Sequence, residues 1–255
     1  MVHLLSQLDE LILPVLQLSN TYSWTITFKN KEHVLKKMIS ILAFCALIGA
    51  FSSTSHAGIG IAGRAGTLGI GVEVTQSLVP MLNVRGGLNW FNYSFDGNES
   101  GVNYNIDLKL KSFTAMLDFH PIPLMGFRLT GGIVFNSNGL EMVSDQISGT
   151  IEVGGQQYPT GDVGNLVGNV DFKSTAPYFG IGWGNAANSR IGLAIDLGIA
   201  LQGSPQVELS ATGVLASDQT FRSSMNREVQ ELEDEISGFK YYPVISIGLS
   251  FKITP

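Results

Sequence analysis

The sequence predicts an all-β chain, a closed antiparallel transmembrane β-barrel of eight strands with one amphipathic helix in its last long loop. Three observations predict it. Apolar residues alternate with small or polar ones at every second position over long stretches. The composition is 44% apolar and 14% charged, with 30 glycines in 255 residues. That is too uncharged for an ordinary soluble chain and too polar for a bundle of membrane helices. Short and long connections take turns along the chain, as in membrane barrels.

The front of the chain sets the domain organisation. Lys36 and Lys37 precede an apolar run at 39–51, and Ser55, His56 and Ala57 supply a small–x–small pattern. A run of about a dozen residues is too short to anchor in a bilayer, which takes about 20. Residues 34–57 therefore read as a signal peptide cut before Gly58. Residues 1–33 read as an extension from a start codon placed too early, with translation beginning near Val34 or Met38. Residues 58–255 form the barrel domain. Cys45 lies inside the apolar run, and Phe44 is too bulky to precede a lipidated cysteine. The exported part keeps His120 as its one histidine and no cysteine, so it offers no cluster for a metal site. No cofactor is expected. Net charge is −6, which argues against nucleic acid as a partner.

Seven strands follow from the alternation, at 65–76, 82–93, 105–119, 127–137, 172–184, 190–202 and 239–253. The clearest is "RIGLAIDLGIALQ", with Ile191, Leu193, Ile195, Leu197, Ile199 and Leu201 on one face and Gly, Ala and Asp196 on the other. Such strands suit a tilted crossing of about 9–11 residues. No sheet edge is tolerable in lipid, so they must close. The eighth strand is either 58–64 or "QVELSATGV" at 206–214, and loop lengths favour the first. Asp107, Lys109 and Lys111 share a parity that Asp118 does not, which predicts a bulge near Lys111 and Ser112. Aromatics at strand ends (Trp90, Phe91, Tyr93, Phe95, Phe119, Phe127, Trp183, Tyr241, Tyr242) suggest interfacial girdles. Short connections fall at 77–81, 121–126 and 184–189, and long ones at 96–104, 138–171 and 203–238.

The last long connection changes period. Phe221, Met225, Val229, Leu232 and Ile236 recur at steps of four and three, forming the apolar stripe of a helix. Ser217 or Asp218 would cap it and Gly238 would stop it. The stripe would fold onto the barrel rim, or serve as a lid, a plug or a docking helix. The "QELEDE" run would be its solvated face.

The inward faces carry five charges: Glu73, Arg85, Asp118, Arg128 and Asp196. Glu73 and Arg85 lie six residues either side of position 79, the centre of one short turn, and Asp118 and Arg128 flank the next. Buried charges need partners, so these predict the pairs Glu73–Arg85 and Asp118–Arg128, a lumen network and a candidate gate. A serine hydrolase would need a histidine as base. His120, beside Pro121 at a short turn, reads as a turn residue, so the chain is not expected to be an enzyme. "GIGIAG" at 58–63 matches a nucleotide-binding pattern by letters alone, because no strand precedes it and no helix follows.

Two stretches carry a resemblance. "VEVTQSLVPMLNVRGGLNWF" resembles the strand–turn–strand unit of the small bacterial outer-membrane β-barrel superfamily, the outer membrane protein A-like and W-like barrels. "SIGLSFKI" resembles the superfamily's C-terminal assembly signal through Ser246, Gly248, Phe251 and Ile253, although Thr254 and Pro255 follow it and Ile253 replaces an aromatic. The resemblance implies a Gram-negative outer-membrane location after signal-peptide cleavage. It also implies two partners, outer-membrane lipid and the barrel assembly machinery during biogenesis. Three functions follow as expectations. One is a structural or surface-interaction barrel with a filled lumen, meeting an extracellular partner through 138–171 and 203–238. The second is a narrow porin-like channel for small solutes or an apolar ligand. The third is a lipid-modifying enzyme.

Overall fold

The structure is a computed structural model that describes residues 58–99, 102–122, 125–144 and 149–254. The segments expected as extension and signal peptide, 1–33 and 34–57, lie outside the described residues. In chain order the elements are β1 (Ile59–Gly66), β2 (Gly69–Val79), β3 (Leu82–Glu99), β4 (Val102–Phe119), β5 (Phe127–Asn136), β6 (Gly139–Ser144), β7 (Thr150–Val153), β8 (Gln156–Pro159), α1 (Thr160–Val163), β9 (Leu166–Asp171), β10 (Thr175–Trp183), β11 (Ile191–Leu201), β12 (Gln206–Ala211), α2 (Gln219–Glu235) and β13 (Tyr241–Lys252).

Eight strands close in the order β1-β2-β3-β4-β5-β10-β11-β13, all antiparallel, with β13 returning to pair with β1. The eighth strand is thus the segment at the front of the barrel domain, and 206–211 forms β12 outside the barrel. Both β1 and β13 have their outer ends at one rim, the termini end. The expected strand at 65–76 divides at Thr67 and Leu68, because Gly69 adopts φ +99 there and closes a tight turn. A side chain at Gly69 would also fall 2.7 Å from the carbonyl of Trp90.

The outward faces are apolar. Ile191, Leu193, Ile195, Leu197, Ile199 and Leu201 on β11 are all exposed, as are Ile245, Ile247, Leu249 and Phe251 on β13. Ten steps along β11 at about 3.3 Å, tilted by about 40°, span about 25 Å, the height of a barrel's lipid band. Among the described residues no helix is long and apolar enough to cross a membrane.

β3 and β4 are 18 residues each and continue past the barrel with unbroken register from Leu82↔Phe119 to Glu99↔Val102. The bulge expected near Lys111 is absent. The faces keep their sense and the medium changes. Within the barrel, Leu88 and Trp90 on β3 and Leu117 and Phe119 on β4 point out, and Arg85, Gly87, Thr114 and Asp118 point in. Beyond Trp90 and Lys111, which pair with each other, the outward positions are Asn92, Ser94, Asp96, Asp107 and Lys109. The inward ones there are Phe91, Tyr93, Phe95, Tyr104 and Ile106. Water has replaced lipid outside, and a packed core has replaced the polar lumen inside. Phe91, Tyr93 and Phe95 accordingly form a stacked ladder, with centroids 6.3 and 5.6 Å apart, and do not belong to a girdle.

The connection expected at 96–104 is therefore strand, apart from residues 100 and 101, which lie outside the described residues. The connections expected at 138–171 and 203–238 are folded too. β6, β9 and β12 extend the sheet from the far half of β4, and α2 lies against it. This lobe buries Tyr104, Ile106, Leu140, Met142, Val170, Val207, Leu232 and Ile236 together. A second cluster joins Phe221 to Val153, Val163 and Leu166, with Tyr158 edge-on to Phe221 at 4.9 Å. On the outer face Lys109 binds Glu141 at 2.5 Å, a hydrogen bond that raises the ammonium's pKa above its ordinary value.

Asp218 caps α2, accepting from the backbone N–H of Phe221 at 2.9 Å. The helix ends at Glu235, before Gly238. A 3-10 turn over Ile236–Lys240 takes over, with Ile236 and Phe239 packed into the lobe core. The apolar stripe meets the lobe sheet, not the barrel rim. Phe221, Leu232 and Ile236 are buried, and Met225 and Val229 are half-buried. Two carboxylates of the acidic face also bind backbone: Glu228 accepts from Gly154 N–H at 2.9 Å and Glu233 from Val207 N–H at 3.1 Å. The second covers a donor of β12, the sheet's edge strand.

Candidate functional site

The lumen is filled in layers, beginning at the termini end. The turn between β10 and β11 folds back into the barrel mouth, and Ala186 and Ala187 are buried. Their carbonyls press on β1 so closely that a Cβ at Gly58 or Gly60 would lie 2.0 or 2.2 Å away. This explains the first two glycines of "GIGIAG", Gly58 and Gly60: they admit the plugging turn. Asn83 donates to Asn185 at 3.1 Å and fastens that turn to β3. His120 is 1% exposed in the same layer.

The next layer is ionic. Arg85 reaches Glu73 at 2.9 Å, Asp118 at 2.7 Å and Asp196 at 3.1 Å. Arg128 reaches Asp196 at 2.8 Å and Asp118 at 3.7 Å, and its Nη1 donates to the Gly184 carbonyl at 2.5 Å. Arg64 binds Glu73 at 2.9 Å and also pairs with Asp196. Thr130 donates to Asp118 at 2.7 Å. Three guanidinium groups thus balance three carboxylates, and each ion has several partners, which a buried cluster requires.

All five charges singled out from the sequence meet here, and Glu73–Arg85 and Asp118–Arg128 are in contact. Sequence reasoning missed Arg64. Its signal was parity: once 58–64 is a strand, Arg64 follows Ala62 onto the inward face, and with Ala62 opposite Glu73 on β2 its long side chain reaches that carboxylate. Gly248, assigned to the assembly signal, also shapes this layer. A Cβ there would sit 2.2 Å from the Gly63 carbonyl and 3.0 Å from Cγ of Arg64. Ser246 lies opposite Asp196 in the β11–β13 register, whereas Phe251 and Ile253 are exposed outward.

Above the ions lies a cavity of about 40 Å³ bounded by Arg64, Glu73, Asn89, Tyr178 and Ser246, room for about three waters. An apolar collar of Met116, Val134, Ala176, Tyr178, Ala200 and Val244 packs beside it, with Leu68 and Tyr242 packed on. Tyr178 explains two inward glycines, because a Cβ at Gly180 or Gly198 would meet its hydroxyl at 2.3 or 2.5 Å. Gly182 similarly makes room for the Arg128 guanidinium, at 2.8 Å. At Gly180, Gly182 and Gly198 the space an added side chain would take is thus occupied by Tyr178 and Arg128. Asn136 and Gln202 join at 3.2 Å in a further polar layer, and the lobe core follows.

The structure is similar to the crystal structures of two Acinetobacter baumannii proteins. It matches CarO2 with a TM-score of 0.52 and 19% identity over 76% of this chain and 98% of that one. It matches CarO with a TM-score of 0.52 and 20% identity over 78% and 100%. No family model matches the sequence, and no curated protein matches it. The likeness is one of fold, and in this chain that fold is a closed eight-stranded antiparallel barrel.

Proposed function

We propose that the chain is an integral outer-membrane protein with a closed lumen, whose work is done by the lobe. The termini end faces the periplasm and the lobe stands outside the cell, where 138–171 and 203–238 present a folded surface to an extracellular partner. Export uses the signal peptide at 34–57, and the assembly machinery reads Ser246, Gly248, Phe251 and Ile253. The observation that carries this reading is the layered lumen, above all the contact of Arg85 with Asp196 across its full width. In this reading catalysis plays no part, since His120 is buried away from any substrate.

The small cavity beside the ions favours a second reading, a narrow channel that opens when the cluster rearranges. Conductance of refolded 58–255 in a planar bilayer decides between them. Silence from folded, inserted protein is the expected result. Discrete steps in the wild type, enlarged by Arg85→Ala, would establish the channel instead.

A further inference from the structure

Strand register brings two lysines together on the outside of the barrel. Lys111 pairs with Trp90 on one side. On the other side it meets Ser137, whose N–H donates to the Lys111 carbonyl at 2.9 Å. The β5–β10 register, which joins Phe135 to Thr175, brings Ser137 opposite Lys173. The row therefore reads Trp90, Lys111, Ser137, Lys173, all on the outward face. Two strand spacings set the lysine Cα atoms about 10 Å apart, and the Lys173 stem lies over Gly203 on the β11 side of its strand, where a Cβ would meet its Cδ at 2.8 Å and its Nζ at 3.3 Å.

The height of this row is fixed by the chain itself. Immediately towards the termini end, Phe113 and Phe135 stack at 5.6 Å on the lipid face. Immediately beyond it, the outward positions turn to Asn92, Lys109 and Asp171, which face water. Both lysines are exposed. Lys109 is held by Glu141, but among the described residues neither Lys111 nor Lys173 has an ion pair. Two unneutralised cations stand where lipid headgroups lie, above an aromatic pair that acyl chains would cover.

We propose that Lys111 and Lys173 form a binding site for a phosphorylated lipid headgroup of the leaflet on the lobe side. On binding, the Lys173 ammonium turns from Gly203 to share one phosphate with Lys111 beside the Ser137 hydroxyl, and Phe113 and Phe135 take the first acyl chain. Charge complementarity selects an anionic lipid over a zwitterionic one, and each lysine near the surface contributes on the order of a fivefold change in affinity. The proposal rests on the membrane-barrel reading above.

The test is native mass spectrometry of refolded 58–255 from micelles doped with dilauroyl phosphatidylglycerol and dilauroyl phosphatidylcholine in equal amounts. Heat-modifiable gel migration reports separately that the barrel has folded, so failure to insert is distinguished from failure to select. The expected result is one preferentially retained phosphatidylglycerol, reduced about tenfold or more in Lys111→Gln/Lys173→Gln and unchanged in Lys240→Gln/Lys252→Gln. Inorganic phosphate should not displace it. Equal retention of the two lipids, loss of selectivity in the control pair, or displacement by free phosphate would each overturn the proposal.

Discussion

Arg85 on β3 and Asp196 on β11 touch at 3.1 Å although their strands stand four apart in either direction around an eight-stranded ring. No contact could cross the lumen more fully. Arg85 also holds Glu73 and Asp118, so its removal strands three buried carboxylates with only Arg64 and Arg128 to share. Arg85→Ala should therefore cost about 3–5 kcal/mol, read as a lower urea midpoint in lipid vesicles. A change within a few tenths would mean that the cluster is hydrated and loosely held.

The coupling within that cluster is measurable. A double-mutant cycle on Glu73 and Arg85 should give an interaction of about 1 kcal/mol or more. It will be smaller than for an isolated pair, because Arg64 also holds Glu73 at 2.9 Å. Strict additivity would remove the pairing.

The inward glycines give a sharper test of filling. Gly198→Ala sets a methyl group 2.5 Å from the Tyr178 hydroxyl and 2.6 Å from the Phe179 carbonyl. Overpacking of this kind costs about 1–3 kcal/mol. Combining it with Tyr178→Ala should recover part of that loss. Gly63→Ala, on the outward face of β1, points into open space and should be near neutral. Equal behaviour of the two glycine variants in unfolding curves would contradict a packed lumen.

How much of this was legible follows one rule. Period-two alternation reports which residues share a face, but not which medium that face meets. On β11, wholly within the membrane band, the two coincide, and the strand was readable to its ends. On β3 and β4 they part at Trp90 and Lys111. Asp107 and Lys109 lie on the same face as Leu117 and Phe119, yet polarity inverts, and the inversion imitates a bulge. The lobe strands escaped for another reason. β6–β9 are four to six residues long, too short for alternation to stand out between turns. Arg85 and Asp196 were separately recognisable as inward charges, but their contact depends on barrel closure, which no local pattern contains. Arg64 was hidden because β1 is rich in glycine and alanine and its outward face shows little apolar contrast.

The lobe should behave as a unit apart from the barrel. Leu232 is fully buried among Ile106, Met142 and Val207, so Leu232→Ala should cost about 2–5 kcal/mol, and loss of the Asp218 cap about 1 kcal/mol. Hydrogen exchange should show both losses in α2, β9 and β12, with β11 and β13 as protected as before. Faster exchange spreading into β11 would show that lobe and barrel unfold together.

The plugging turn offers a final test that needs no conductance. Ala187 is 3% exposed, and residues 58–255 contain no cysteine, so Ala187→Cys places a single thiol inside the termini end. A membrane-impermeant maleimide should label it slowly while the turn is seated. Gly60→Val alters the strand beneath it: a Cβ at Gly60 lies 2.2 Å from the Ala186 carbonyl oxygen and 2.4 Å from its carbon. These are backbone atoms and cannot swing aside as a side-chain tip could. Either β1 or the turn must move, and β1 is held by β2 and β13 along its length. The turn is the weaker partner, fastened by Asn83–Asn185 and by Arg128 to the Gly184 carbonyl. Labelling of Ala187→Cys should therefore rise at least about tenfold in the Gly60→Val background, with the barrel still folded by heat-modifiable migration. Unchanged slow labelling would place the turn's seat elsewhere and leave the close approach at Gly60 without consequence for closure.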